Sequence, residues 1–134
     1  MRRASFALSV VFVFAWAAAV ASAQRGNAEA AKVKNPVASS AESIAAGKAA
    51  FGKNCRFCHG ADAKGNGPMA PKDSHPSDLT DAKWDRGSSD GEIFAVIRDG
   101  DGGGEKAVMK GYNGKLTDTD MWNIVNYLRS IGTK

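Results

Sequence analysis

Apolar residues recur at helical spacing in three segments, and each segment opens with a hydroxyl residue followed three positions later by an acid. Such a pair satisfies the free amides of a helix start reciprocally. The apolar stripe is clearest near the end of the chain, where it follows the i, i+3, i+4, i+7 spacing of one helix face. No stretch alternates as a strand would, so the pattern predicts an all-α fold with three main helices. The opening pairs are Ser39–Glu42, Ser89–Glu92 and Thr117–Asp120, and the last stripe is Met121, Ile124, Val125, Leu128 and Ile131.

Two long stretches without an apolar period, residues 60–87 and 100–115, separate the three predicted helices. Loops longer than about 12–15 residues in a compact domain are usually functional or disordered. Three short helices in a chain of this size also bury little apolar surface. These loops are therefore expected to wrap something that lies between the helices.

The first 23 residues have the organisation of a secretory signal. Arg2 and Arg3 precede an apolar run from Phe6 to Val20, and small residues occupy positions 21–23. This pattern predicts cleavage before Gln24, with an uncleaved membrane anchor as the alternative. Residues 24–38 lack an apolar period and are interpreted as a flexible leader. Residues 39–134 remain as the folded domain.

Charge excludes one class of function. The formal net charge is +4, which falls to +2 once Arg2 and Arg3 are removed with the signal. The basic residues are scattered singly among acidic ones, without the clusters that bind nucleic acid. We therefore predict no nucleic-acid partner and, after cleavage, no stable membrane insertion.

Both cysteines of the chain lie in the stretch NCRFCHG, residues 54–60, with a histidine directly after the second. A structural zinc site needs four ligands, and the chain offers only Cys55, Cys58, His59 and His75 as Cys or His ligands. A thioredoxin-like dithiol would follow a strand in a βαβ unit, which this sequence lacks. A C-x-x-C-H motif instead attaches haem c, because its two thiols add to the two vinyl groups and the next imidazole reaches the iron. The motif also caps both thiols of an exported protein. Haem attachment is the interpretation that accounts for every residue type.

From Ser40 to Ile131 the chain resembles the class I monohaem cytochromes c of the small bacterial type. The resemblance is carried by GKAAFGKNCRFCHG, GNGP, RGSSDGEIFAVIRDG and MKGYNGKLTDTDMWNIVNYLRSI. It implies the cytochrome c fold, with helices and loops wrapped around one haem c that is covalently bound through Cys55 and Cys58. It also implies that Gly47 and Phe51 of the first helix pack against Tyr127 of the last.

The resemblance also implies roles for individual residues. His59 is expected as the proximal iron ligand, oriented by the backbone carbonyl of Pro68. Met109 is expected as the distal ligand, although Lys110 stands where many relatives have proline. Trp84 is expected to bind a haem propionate or to cover the haem, and Tyr112 to cover it near Met109. The alternative distal ligands are Met69, His75, Lys106 and Lys110, whereas Met121 and Trp122 are expected as core and partly exposed packing respectively.

A haem iron ligated by His and Met favours electron transfer, since both axial positions are filled and the thioether raises the reduction potential. The predicted function is an exported, periplasmic, monomeric one-electron carrier between redox proteins, not an enzyme. Two alternatives stay open. One is a haem sensor or weak peroxidase with a labile distal ligand, and the other is a cytochrome subunit of a larger oxidoreductase.

Overall fold

The computed structural model describes residues 26–73, 75–102 and 107–132. Four α-helices follow a short 3-10 helix at Ala30–Lys32: α1 is Ala41–Asn54, α2 is Arg56–His59, α3 is Asp90–Asp99 and α4 is Asp118–Ile131. Within those ranges only two isolated β-bridges occur, and no strand. The prediction of an all-α chain with three main helices is confirmed. The predicted signal sequence lies outside the described residues.

Capping fixes where the three main helices begin. The hydroxyls of Ser89 and Thr117 each accept a hydrogen bond from the amide three residues on. The carboxylates of Glu92 and Asp120 in turn accept from the amides of Ser89 and Thr117. Both capping boxes are confirmed. The first helix starts one residue later than predicted, because the hydroxyl of Ser40 rather than that of Ser39 accepts from the Ser43 amide at 3.2 Å.

The core centres on the crossing of α1 and α4. A Cβ built on Gly47 would lie only 1.9 Å from the carbonyl oxygen of Asn123, so the two backbones touch there. One turn further along α1, the ring of Phe51 packs on that of Tyr127, with 5.4 Å between their centroids. The predicted contact between these two helices is confirmed, and glycine at position 47 is what lets them approach.

The prediction that Trp122 is partly exposed is wrong. Its exposed fraction is 6%, and its indole stacks on the ring of Phe94 at 4.0 Å between centroids. The reason is that α3 packs on a second side of α4, away from α1. Residues 121–128 of α4 are consequently all buried, not only the apolar stripe.

The segment before α1 contacts α4 through polar side chains. The amide of Asn35 donates to the carbonyl oxygen of Trp122 at 3.1 Å and to the side chain of Asn126 at 2.9 Å. Asn126 in turn donates to the carbonyl oxygen of Val37 at 3.1 Å. Residues 26–38 thus contact α3 and α4, while the interpretation of residues 24–38 as a flexible leader stays a prediction. Polar side chains hold this segment, so it shows no apolar period.

None of the helices in the described ranges has both the length and the apolar composition needed to cross a membrane.

Candidate haem-attachment site

One helical turn brings together the three groups of the C-x-x-C-H motif. Cys55 ends α1, and its carbonyl oxygen accepts from the amides of Cys58 at 3.2 Å and His59 at 3.0 Å. The short helix α2 follows from this turn and ends at Gly60, whose φ of 82° suits glycine. Both cysteines are free and half-buried. Local backbone geometry therefore holds two thiols and an imidazole side by side.

These three side chains line one cavity of about 580 Å³. It lies between α2, the chain around residue 77, α3 and the loop before α4. Aliphatic side chains from α3 and α4 form much of its wall, and the predicted Trp84, Met109 and Tyr112 line it as well. The leucine, isoleucine and valine residues that line it are Leu79, Ile93, Val96, Ile97, Val108 and Leu128, of which Leu79 and Val108 lie in loops. An apolar cavity bordered by two thiols fits a haem bound through thioethers.

The Nδ1 atom of His59 lies 3.3 Å from the carbonyl oxygen of Ser77. This contact leaves Nε2 as the ring nitrogen available to a metal, and such a bond fixes both tautomer and ring orientation. The carbonyl beside Nδ1 is that of Ser77 and not the expected one of Pro68. Residues 67–69 instead run beside α2, where the amides of Gly67 and Met69 donate to α2 carbonyls.

Burial governs the protonation of the motif. It lowers the pKa of His59 from 6.5, an effect that the Ser77 carbonyl partly opposes. The imidazole is consequently neutral at neutral pH, which is its metal-binding form. Burial, reinforced by the neighbouring Cys58, raises the pKa of the Cys55 thiol to about 12. That thiol is consequently protonated before attachment.

The structure separates the candidates for a distal ligand. Met69 is 67% exposed and does not line the cavity, while Met121 is 1% exposed in the core. Met109 is half-buried and lines the cavity together with His75 and Lys110. Lys106 lies outside the described residues. Among the thioethers of the described chain, Met109 alone borders this space.

Trp84 lines the cavity and donates a hydrogen bond within its own loop. Its indole Nε1–H donates to the carbonyl oxygen of Asp81 at 2.9 Å, three residues earlier in the same loop. The expected donation of Trp84 to a propionate stays a prediction. Its position on the cavity wall leaves the covering role as a prediction.

Tyr112 links the two halves of the site. Its hydroxyl donates to the carbonyl oxygen of Asn54 at 2.7 Å, immediately before Cys55. The ring lines the cavity, and burial, followed by the nearby Cys55 and Cys58, raises the pKa of its hydroxyl. Its predicted role in covering a haem stays a prediction.

Two groups that contribute to the site were not predicted from the sequence. The Ser77 carbonyl is a backbone atom, so no residue type marks it. The carboxylate of Asp101 accepts from the amides of Val108 at 3.0 Å and Met109 at 3.2 Å. An aspartate just after a helix-ending glycine is a weak signal, because its partners lie seven and eight residues further on.

An all-α fold in which two free thiols, an imidazole and a thioether border one apolar cavity is the arrangement of a c-type cytochrome. Comparison with known proteins agrees. The family model for cytochrome c matches residues 44–132. The chain therefore belongs to the cytochrome c family, as a class I c-type cytochrome, and the predicted fold is confirmed.

Curated relatives include the Cbb3-type cytochrome c oxidase subunit FixP of Bradyrhizobium sp. (strain ORS 278), which is 36% identical over 66% of this chain and 27% of that protein. FixPc of Rhizobium leguminosarum bv. viciae is 33% identical over 65% of this chain and 27% of its own length. The chain thus spans about a quarter of the length of these relatives.

Two solved structures extend the comparison. Cytochrome cL of Methylophaga aminisulfidivorans is 26% identical, with a TM-score of 0.52 over 69% of this chain and 55% of that chain. The reducing HAO-like protein complex of Kuenenia stuttgartiensis contains a chain with a TM-score of 0.64 at 24% identity, covering 75% of this chain and 50% of that one. The second likeness concerns the fold alone. Members of the cytochrome c family bind haem c covalently and transfer electrons, and Cys55 and Cys58 have the spacing for this attachment.

Proposed function

We propose that this chain is a one-electron carrier in which Cys55 and Cys58 attach haem c and His59 and Met109 are its axial ligands. The observation that carries the proposal is that all four side chains line the same apolar cavity. Haem c, when bound, supplies an iron couple that gains or loses one electron. The chain itself sets where that couple lies and how it is tuned.

The protein groups have separate tasks in this proposal. The Ser77 carbonyl holds the His59 ring through Nδ1 and increases the basicity of the ligand. The Met109 thioether favours ferrous over ferric iron and so raises the reduction potential. The aliphatic side chains that α3 and α4 contribute to the cavity wall would lower the polarity around the haem, which favours the state of lower charge. If His59 and Met109 both bound the iron, no position would be left for a substrate, and the chain would act as a carrier rather than an enzyme.

A second candidate function has support from the comparisons. The similarity to FixP favours a cytochrome subunit, or a domain of one, that passes electrons within a larger oxidoreductase. The chemistry at the site would be the same in both cases. Purification from the native source separates them, since a subunit co-purifies with an oxidase or dehydrogenase and a free carrier does not.

The environment of the carrier follows from the sequence. The predicted signal at residues 1–23 supports export to the periplasm, and the C-x-x-C-H motif suits an exported chain because attachment caps both thiols. We propose redox proteins as partners and a monomeric carrier. Size-exclusion chromatography of the holoprotein tests the monomer.

Far-red absorption of the ferric holoprotein tests the ligand pair, because sulfur-to-iron charge transfer gives a weak band there. We expect this band in wild type and its loss in Met109→Leu, whose ferrous form should bind carbon monoxide. Met69→Leu is the matched control, since Met69 is exposed and does not line the cavity. Retention of the band in Met109→Leu would contradict the proposal. If wild type lacks the band, loss of low-spin character in His75→Ala would identify a nitrogen ligand instead.

A further inference from the structure

The segment that carries Met109 is tied to the end of α3 by one side chain. The carboxylate oxygen Oδ2 of Asp101 accepts from the backbone amides of Val108 at 3.0 Å and Met109 at 3.2 Å. The amide of Asp101 donates in the opposite direction, to the carbonyl oxygen of Met109 at 3.1 Å. Asp101 therefore binds both backbone polar groups of Met109, its amide and its carbonyl.

Backbone hydrogen bonds also join the neighbouring residues to the end of α3. Gly100 forms an antiparallel bridge with Lys110. The amide of Tyr112 donates to the carbonyl oxygen of Ile97 at 2.9 Å, and that of Asn113 to the carbonyl oxygen of Arg98 at 3.0 Å. These bonds align residues 110–113 with the end of α3, but the bonds to the amide and carbonyl of Met109 itself come from Asp101.

The chemistry of the two groups gives such a clamp a purpose. A thioether is a weak iron ligand, so it depends on being held in place. A carboxylate makes charge-assisted bonds to backbone amides that are roughly twice as strong as neutral ones.

From these contacts we infer that Asp101 is a positioning residue for the distal ligand, which holds the Met109 backbone and so keeps the sixth coordination position of the iron closed. The inference rests on the proposed function, because it requires Met109 as ligand. It goes beyond that proposal because it assigns the retention of Met109 as a ligand to one carboxylate that does not itself touch the iron. Without the Asp101 carboxylate, the iron becomes open to small exogenous ligands.

Carbon monoxide binding and the far-red band, measured on the ferrous and ferric holoproteins respectively, test this inference. We expect Asp101→Ala to weaken or lose the band and to bind carbon monoxide, with a lowered reduction potential. Asp101→Asn keeps an acceptor oxygen in place and should rescue the band in part. Asp99→Ala is the control, because Asp99 is a neighbouring carboxylate that pairs with Arg98 at 2.8 Å. It should behave as wild type.

The outcomes separate this inference from the proposed function. If wild type shows the band and excludes carbon monoxide, and folded Asp101→Ala does the same, the role of Asp101 is refuted while Met109 stands as ligand. If wild type lacks the band, the ligand pair fails and this inference fails with it. Should Asp101→Ala not fold, the carbon monoxide binding rate of Asp101→Asn decides. A rate above wild type supports the inference, and an equal rate overturns it.

Discussion

Replacement of Gly47 by alanine tests the helix crossing on which the site is built. An ideal Cβ at this position would lie 1.9 Å from the Asn123 carbonyl oxygen, 2.5 Å from its carbonyl carbon and 2.9 Å from the Tyr127 Cβ. The first two atoms are backbone of α4 and cannot rotate away. The methyl group therefore fits only if α1 and α4 move apart, which also loosens the packing of Phe51 on Tyr127.

Two opposing terms set the magnitude. Overpacking of a well-packed core costs about 1–3 kcal/mol, and a clash with backbone belongs at the upper end of that range. Alanine in place of glycine gains about 1 kcal/mol of helix propensity. We therefore expect Gly47→Ala to lower the free energy of unfolding by about 2 kcal/mol. For a domain of about 100 residues, this corresponds to a melting temperature lower by about 8–16 °C.

Gly52→Ala is the matched control on the same helix. No atom lies within 4 Å of the Cβ that would be added there. Only the propensity gain then applies, and this variant should be more stable than wild type by up to about 1 kcal/mol. Denaturant unfolding of the holoproteins, followed by far-UV circular dichroism, measures both changes. If Gly47→Ala proved as stable as Gly52→Ala, the reasoning from close backbone contact would be refuted.

Two further predictions concern polar contacts. Asn126 donates to the carbonyl oxygen of Val37 at 3.1 Å and to the hydroxyl of Ser43 at 2.8 Å, so Asn126→Leu leaves buried acceptors unpaired and should cost about 3 kcal/mol. Faster hydrogen exchange in residues 26–38 should accompany that loss, and unchanged exchange would contradict the fastening. The pKa of Glu92 is lowered from 4.5, first by the Ser89 hydroxyl and then by its amide. This contribution to stability is present above pH 4.5 and is lost as pH falls through the lower folded value. Glu92→Gln should therefore be less stable at neutral pH by a margin that shrinks in acid, and thermal unfolding across pH would contradict this if the margin stayed constant.

The parts of this structure that sequence predicts are those determined locally. The boxes at Ser89 and Thr117 act over three residues, so their spacing is visible in the chain. The C-x-x-C-H motif acts over one turn, and its chemistry follows from residue types alone. The helix start shows the limit of such reasoning, because Ser39 and Ser40 are both suitable caps and only backbone geometry selects Ser40.

The structure differs most from the sequence-based expectations where distant parts of the chain meet. Trp122 was expected to be partly exposed because the apolar stripe of α4 marks one face, whereas packing of α3 on a second face buries it. The carbonyl of Ser77, not that of Pro68, lies beside the His59 ring. Residues 67–69 run beside α2, where backbone amides donate to α2 carbonyls, and no sequence motif marks these bonds. The segment 26–38 is held by amide side chains, which leave no periodic signal.

The site likewise has one part that is determined locally and one part that depends on more distant residues. The proximal half is built by one turn of chain, in which Cys55, Cys58 and His59 are placed by bonds to the Cys55 carbonyl. In the proposed function, the distal half depends on the Met109 thioether, and the backbone amide of Met109 donates to the Asp101 carboxylate eight residues earlier. Substitutions in the distal half should accordingly change ligation and reactivity while the haem stays attached. Under this proposal, substitution of Met109 or Asp101 should convert a closed electron carrier into an open, ligand-binding haem protein without altering the attachment motif.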